Sequence, residues 1–172
     1  MKNIPVKNKY EDIRLLTAVL IVYLILSQFL ILNARVPSES MEDTIMTGDR
    51  FFASRTAFLF EPPKRGDIVV FKYPDDNRTL LVKRVIGLPG ESVFISDGMV
   101  YIDGIALTGD YTDVIVRGVF GPYEVPSDSY FMLGDNRNSS KDSRYWENTF
   151  VNEKNILAKA MFTYYPKIKR IQ

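Results

Sequence analysis

The sequence predicts a mostly β protein in which a single N-terminal apolar helix precedes an antiparallel β domain. Three observations carry this. One uncharged run, Leu15 to Leu32, is 18 residues long and has no counterpart elsewhere in the chain. After Pro37 no long 3.6-residue periodicity survives. From there on, short β-branched and aromatic runs alternate with Gly, Pro and Asp. With 172 residues, 46% of them hydrophobic and only 10 Gly and 9 Pro, the chain can build one ordinary core and is neither disordered nor low-complexity.

The elements follow in order. At about 1.5 Å per residue the first run nearly crosses a hydrocarbon layer of about 30 Å, so it reads as one transmembrane helix, with residues 15–34 as the anchor. Lys2, Lys7, Lys9 and Arg14 against Glu11 and Asp12 leave residues 1–14 at net +2, and the rest of the chain at −1. Residues 1–14 are therefore expected in the cytoplasm and residues 35–172 outside it, as an extracytoplasmic domain. A buried core helix fits less well. So does a cleaved leader, because the flank Asn33-Ala34-Arg35-Val36-Pro37 puts Arg35 where a small residue would be wanted.

Strands are predicted at Arg50–Ser54, Asp67–Tyr73, Leu80–Ile86, Ser92–Ile95, Met99–Ile102, Val114–Val119, Tyr130–Leu133 and Leu157–Tyr165. Ser96-Asp97-Gly98 marks the clearest hairpin, and Asp103-Gly104 the next reversal. A short helix is expected near Ser143 or Asn152. Phe51-Phe52 and Phe58-Leu59-Phe60 are expected to cover the core, the alternative for Phe58 to Phe60 being an apolar loop that dips into the membrane surface.

Composition prunes the chemistry. There are 22 Lys plus Arg against 21 Asp plus Glu, a net +1 with no broad footprint for nucleic acid. With no Cys and no His, thiolate, Ser-His-Asp and Cys-His mechanisms are impossible within this chain. A hydrolase built from it must use a carboxylate, a lysine or otherwise activated water.

Alternation in Leu80–Ile86 puts Leu81, Lys83 and Val85 on one apolar face. A lysine buried there can lose its proton near neutral pH and serve as a base. Lys72, in Val70-Phe71-Lys72-Tyr73, is nearly as good a candidate by pattern alone. Among eleven serines, spacing does not single out Ser40; Pro37-Ser38-Glu39-Ser40-Met41 could equally be a capped helix start. Residues 134–144, Gly134 to Arg144, could be a solvated loop, but they carry more polar groups than a turn needs.

Together these segments resemble the type I signal peptidases, the membrane-bound Ser/Lys endopeptidases of bacteria, and they occur in that family's order. Pro37-Ser38-Glu39-Ser40-Met41 with Thr44-Ile45 resembles the nucleophile box, and Gly48-Asp49 the box after it. Residues 65–71 and 82–91 resemble the lysine box, with Lys83 in the general base's place, which separates it from Lys72. Residues 133–137, continuing through Ser140, Asp142-Ser143-Arg144 and Tyr145-Trp146, resemble the last box.

The resemblance implies that Ser40 attacks the scissile carbonyl while Lys83 takes its proton. The Ser40 N–H and the Ser38 hydroxyl would form the oxyanion site. Ser140 would orient Lys83, Asp142 and Arg144 would brace the last loop, and Gly134 would allow close backbone approach beneath the pair. Small-residue pockets would fall to Val36, Met41, Ile45, Leu80, Leu81 and Val82. Substrates would be preprotein signal peptides, met at the membrane lipid surface as they leave a translocase, with no cofactor, no metal and no nucleic acid.

Two departures stand out. Glu42-Asp43 stands where many members of the family it resembles have a residue and then proline, and Glu147 follows Trp146 where a glycine is common in that family. The short exterior domain resembles Gram-positive-type members. Two rivals remain: a catalytically silent relative that binds preproteins or translocase, and a repressor-type Ser/Lys self-cleaving protease.

Overall fold

The structure, a computed structural model, describes residues 9–109 and 115–171. The first eight residues of the expected cytoplasmic segment, and Val114, lie outside them. Helix α1 spans Lys9–Leu30, followed by β1 (Ile31–Arg35), a single 3-10 turn (Glu39–Met41), β2 (Arg50–Ser54), β3 (Ile68–Lys72) and β4 (Leu80–Gly87). Then come β5 (Ser92–Ser96), β6 (Met99–Ile102), β7 (Ile105–Ala106), β8 (Phe120–Glu124), β9 (Ser129–Leu133) and β10 (Val151–Asn152). A second 3-10 turn (Glu153–Asn155) leads into β11 (Ile156–Tyr165), and β12 (Lys169–Arg170) closes the described chain. The short helix expected near Asn152 is this second turn, with the Asn152 side chain accepting from the Lys154 N–H.

The strands form two sheets. The larger runs β1-β2-β11-β3-β4-β9-β10 with β12 on β11, and the smaller runs β7-β6-β5-β8. Every recorded pairing is antiparallel, and tight reversals join β5 to β6 and β6 to β7. The predicted hairpin is one of these. Ser96 pairs with Met99, and the two residues between, Asp97 at φ 52° and Gly98 at φ 80°, both take the left-handed conformation that matches strand twist. Gly87 ends β4 where the sheets meet; a Cβ there would lie 2.6 Å from Val93 and 2.9 Å from Phe131.

Alternating inward residues fill three apolar clusters, one holding Phe51, Ile45 and Met41, a second Phe131 and Val93, a third Phe71 and Trp146. Each fully buried phenylalanine contributes about 1.5–3 kcal/mol relative to exposure. Phe51 joins the first core and Phe58 packs on the third cluster, as expected, whereas Phe52 belongs to no core cluster and stacks on Tyr164. Leu59 and Phe60 instead stand in solvent, 66% and 94% exposed.

Two expectations are corrected. Residues 115–119 are not a strand; Val116 is buried over the β5-β6 hairpin with its N–H on the Gly98 carbonyl, and Gly118, at φ 98°, turns the chain before β8. The strand lies one segment later, where Gly121-Pro122 reads as a turn by composition but is tolerated because β8 is an edge. The apolar run Leu15–Leu32 does not stay helical to its end. Its last two residues open β1, Ile31 opposite Ser54 and Leu32 opposite Ala53. The uncharged part of α1 is thereby cut to Leu15–Leu30, rising about 24 Å, and among the described residues no helix is long and apolar enough to cross a membrane. Its apolar side chains are nonetheless exposed all round, Leu16 at 69% and Tyr23 at 65% among them.

Candidate active site

The segment between β1 and β2 is held as a tight loop by hydrogen bonds from Val36 N–H to the Asp49 carbonyl and from Gly48 N–H to the Val36 carbonyl. Within it, the 3-10 turn presents Ser40 while Met41 and Ile45 plug into the first core. Ser38 precedes the turn in extended conformation, and its side chain makes no cap hydrogen bond, so a helix-capping role does not account for it. Its Oγ lies 3.4 Å from Ser40 Oγ.

Lys83 arrives from β4, opposite Val69 of β3. Its neighbours on the same face, Leu81 and Val85, pack in the third cluster, and Lys83 is only 4% exposed. Its Nζ donates to Ser40 Oγ at 2.6 Å across 43 residues of sequence. Lys72, the other pattern candidate, ends β3 in an exposed position opposite Leu80. Only the fold separates these two lysines without a family comparison.

Burial pushes the Lys83 ammonium down to about 8. Asp142 and Asp135 oppose this, but each carboxylate is already engaged by a guanidinium. Arg144 holds Asp142 in a fork, Nε to Oδ1 and Nη2 to Oδ2, both 2.8 Å. Arg84 holds Asp135 likewise at 2.8 and 2.7 Å. Each carboxylate is shared with its guanidinium, so burial outweighs the pull that remains, and the lysine is left where a neutral amine is accessible near physiological pH. A serine hydroxyl within hydrogen-bond reach of such an amine can be deprotonated as it attacks an electrophile.

The loop after β9 forms the floor. Gly134 lies so close beneath the turn that a Cβ there would collide with Ser140 Oγ and the Ser40 carbonyl oxygen. Its N–H donates to Asp142 Oδ2 at 3.0 Å, and Asn136 N–H donates to the Ser40 carbonyl at 3.2 Å. The Asp142–Arg144 brace is therefore present, with Arg144 also donating to the Arg137 carbonyl at 2.5 Å. Ser140 is brought to the site, but its buried Oγ has no hydrogen-bond partner among the described residues; the expected bond to Lys83 is not formed.

Sequence reasoning missed the Arg84–Asp135 pair. Thr44 donates to Asp135 Oδ2 at 2.5 Å and Arg84 to the Gly66 carbonyl at 2.7 Å, so the pair ties the loop that carries Ser40 to β4 and to the loop before β3. Arg84 is 2% exposed, and its place on the opposite face from Lys83 in an otherwise apolar strand was the available signal.

A small groove of about 110 Å³ opens beside Ser40 and Lys83, with Val36, Met41, Leu80, Leu81 and Val82 among its walls. Ile45 is not one of them: fully buried, it backs Met41 from within the core. Among the described residues no group of three or more acidic residues could hold a metal ion, and His and Cys are lacking altogether.

Comparison with known proteins agrees with this architecture. The family model described as signal peptidase, peptidase S26, matches residues 10–165. A probable signal peptidase I-1 of Synechocystis is 35% identical over 96% of this chain and 89% of its own length. Signal peptidase I P of Bacillus subtilis subsp. natto is 33% identical, covering 88% and 86%. A crystal structure of a signal peptidase I from Enterococcus faecalis, 34% identical, superposes with a TM-score of 0.50 over 58% of this chain and 97% of that one. With a family match along nearly its whole length and relatives of this identity, the chain belongs to the signal peptidase, peptidase S26, family and is a peptidase of it.

Proposed function

We propose that this peptidase removes signal peptides from exported preproteins by a Ser/Lys dyad, cleaving after small residues. The observation that carries the proposal is the 2.6 Å contact between Lys83 Nζ and Ser40 Oγ in a buried setting that holds the lysine near 8.

Ser40 Oγ attacks the scissile carbonyl as neutral Lys83 accepts its proton. The tetrahedral oxyanion is received by the Ser40 N–H and the Ser38 hydroxyl, each such donor being worth about 3–4 kcal/mol. Lys83 then gives the proton to the leaving amine, and the acyl-enzyme is hydrolysed by water activated by the same lysine. Gly134 and the Asp142–Arg144 and Arg84–Asp135 pairs keep the turn and the base in register. Ser140 would reach Lys83 after a side-chain rotation once substrate is bound. The groove of Val36, Met41, Leu80, Leu81 and Val82 takes small side chains at the first and third positions before the cut, its aliphatic walls leaving room for little more than alanine.

The substrate, anchored by its own apolar segment, has to meet the dyad at a membrane surface. In the same proposal α1 holds the enzyme there, N-terminus on the cytoplasmic side and the β domain outside, with membrane lipid and the protein translocase as partners. An uncharged stretch of about 24 Å is accommodated by local thinning of the bilayer and by snorkelling of Arg14.

The test is cleavage, in lipid or detergent, of a preprotein bearing alanines at the first and third positions. The intact chain should cut after the small residue, and Ser40→Ala and Lys83→Ala should not. Activity surviving in Lys83→Ala would end the dyad mechanism.

A further inference from the structure

We infer that a cleft between Arg35 and Arg50, next to the groove beside Ser40, is a subsite for an acidic side chain in the mature part of the preprotein, a few residues beyond the cut. The inference rests on the proposed signal-peptide cleavage and deepens it: small size is read before the bond, and charge after it.

Arg35 and Arg50 are the last pair of the β1–β2 ladder and lie directly opposite each other. Opposed residues of an antiparallel pair project from the same face, where like charges repel. Both side chains are exposed, and among the described residues neither has an ion-pair partner. With Gly48, Tyr164 and Tyr165 they line a cleft of about 490 Å³ that holds no acidic residue. One wall is fixed, since the Tyr164 hydroxyl donates to Asn33 at 2.8 Å and its ring stacks on Phe52 at 4.5 Å. A second cleft of about 570 Å³ adjoins the first and adds Lys167 and Lys169, against Asp43 and Asp49. Asp49 already accepts from the Met46 N–H at 3.0 Å. Folding alone would favour an acid opposite one of the arginines; an anion received between two guanidinium forks relieves the repulsion, and a carboxylate matches their geometry.

Position identifies the occupant. Arg35 lines the groove that holds Ser40 and Lys83 as well as both clefts, so groove and cleft are continuous at this residue. The loop between β1 and β2 separates them elsewhere, with Val36, Ser38 and Ser40 on the groove and Gly48 on both clefts. β1 starts at the end of α1, where Ile31 pairs with Ser54, and reaches Arg35 about 13 Å further on. In the proposed placement the cleft therefore lies at the end of these strands remote from the bilayer, out of line with lipid headgroups. The apolar segment of a substrate stays in the bilayer and precedes the cut. What continues past Ser40, away from the membrane, is the mature chain.

The test uses the full chain in detergent and soluble peptides with alanine at the first and third positions before the cut. The peptides differ only after it, by a glutamate, a glutamine or a lysine placed singly at each of the second to sixth positions. At one or more of these positions the parent should show a KM about two- to five-fold lower for glutamate than for glutamine, with kcat little changed, because the contact is made equally before and during the reaction. High salt should erase the difference. Arg50→Gln should bring the ratio to one, Arg50→Lys should keep it, and Arg50→Glu should invert it so that the lysine peptide is preferred, a gain that a damaged fold does not produce. A ratio of one at every position in the parent, or a preference that survives in high salt or in Arg50→Gln, overturns the inference while leaving signal-peptide cleavage intact. A parent ratio of one together with Arg50-dependent binding to phosphatidylglycerol vesicles overturns it in favour of a lipid headgroup. Failure of the parent to cut any of the peptides removes the proposed function and the inference together.

Discussion

Replacing Lys83 by methionine should abolish cleavage and at the same time make the protein more stable. In the folded chain burial holds the ammonium at about 8, whereas the unfolded chain has the ordinary 10.5. At about 1.36 kcal/mol per tenfold change in proton affinity, this opposes folding by about 3 kcal/mol at neutral pH. The sign follows from proton counting. Between about pH 8 and 10.5 the unfolded chain binds the proton and the folded chain does not, so stability rises with pH across that window. Below pH 8 both states are protonated and the full penalty is present. Methionine has nearly the same length and no charge. It removes the penalty and forfeits the bond to Ser40 Oγ, worth about 1 kcal/mol, so Lys83→Met should gain about 2 kcal/mol at pH 7. For a domain of this size that is a rise in Tm of about 4–8 °C. Urea melts in detergent, followed through the fluorescence of the single tryptophan, Trp146, measure the difference directly. The advantage should shrink as pH rises from 8 and vanish by 10.5. A Lys83→Met protein no more stable than the parent at pH 7, or a parent whose stability does not rise across that window, would show that Lys83 is not desolvated and that burial does not prepare it as a base.

Other expectations follow from the same geometry. The kcat/KM of the parent should fall about tenfold per pH unit below about 8, as Lys83 acquires its proton; a flat profile between pH 5 and 9 would contradict general-base catalysis by this residue. Asp142→Asn removes a charge that holds the Lys83 value up, so the acid limb of that profile should move to lower pH, although breaking the buried pair with Arg144 costs about 3–5 kcal/mol of stability. Gly134→Ala places a methyl against Ser140 and the Ser40 carbonyl, and should lower kcat by at least about 10²-fold while costing about 1–3 kcal/mol in a chemical melt. If Ser38 is the oxyanion donor proposed above, Ser38→Ala should reduce kcat about 10²–10³-fold with KM little changed in steady-state assays, since such a donor acts only in the transition state.

Local chemistry was legible directly from the sequence. The Asp97-Gly98 turn and the alternating strands act through neighbours in the chain, so residue type and period sufficed to place seven strands, and the absence of His and Cys reduced the enzyme menu to a carboxylate, a lysine or otherwise activated water. The helix-to-strand switch at Ile31 was not legible, because Ile31 and Leu32 are apolar in either state and pairing with Ala53 and Ser54, set by the sheet, decides between them. The same holds for β8, whose Gly121-Pro122 is acceptable only on an edge.

At the site the division is sharper. A family resemblance named Ser40 and Lys83, but the residues alone left Lys83 level with Lys72 and Ser40 among eleven serines. Tertiary structure distinguishes them, because burial and a partner 43 residues away are not properties of a strand pattern: Lys83 is covered and meets Ser40, while Lys72 ends in water. It also decided that Ile45 backs the groove rather than lining it, that Ser140 stands near the pair with its Oγ unbonded, and that Arg84 neutralises Asp135 beside the loop that carries Ser40. Charge, size and period belong to residues and can be read in order along the chain. The proton affinity of a lysine belongs to everything packed around it, which exists only once the chain has folded.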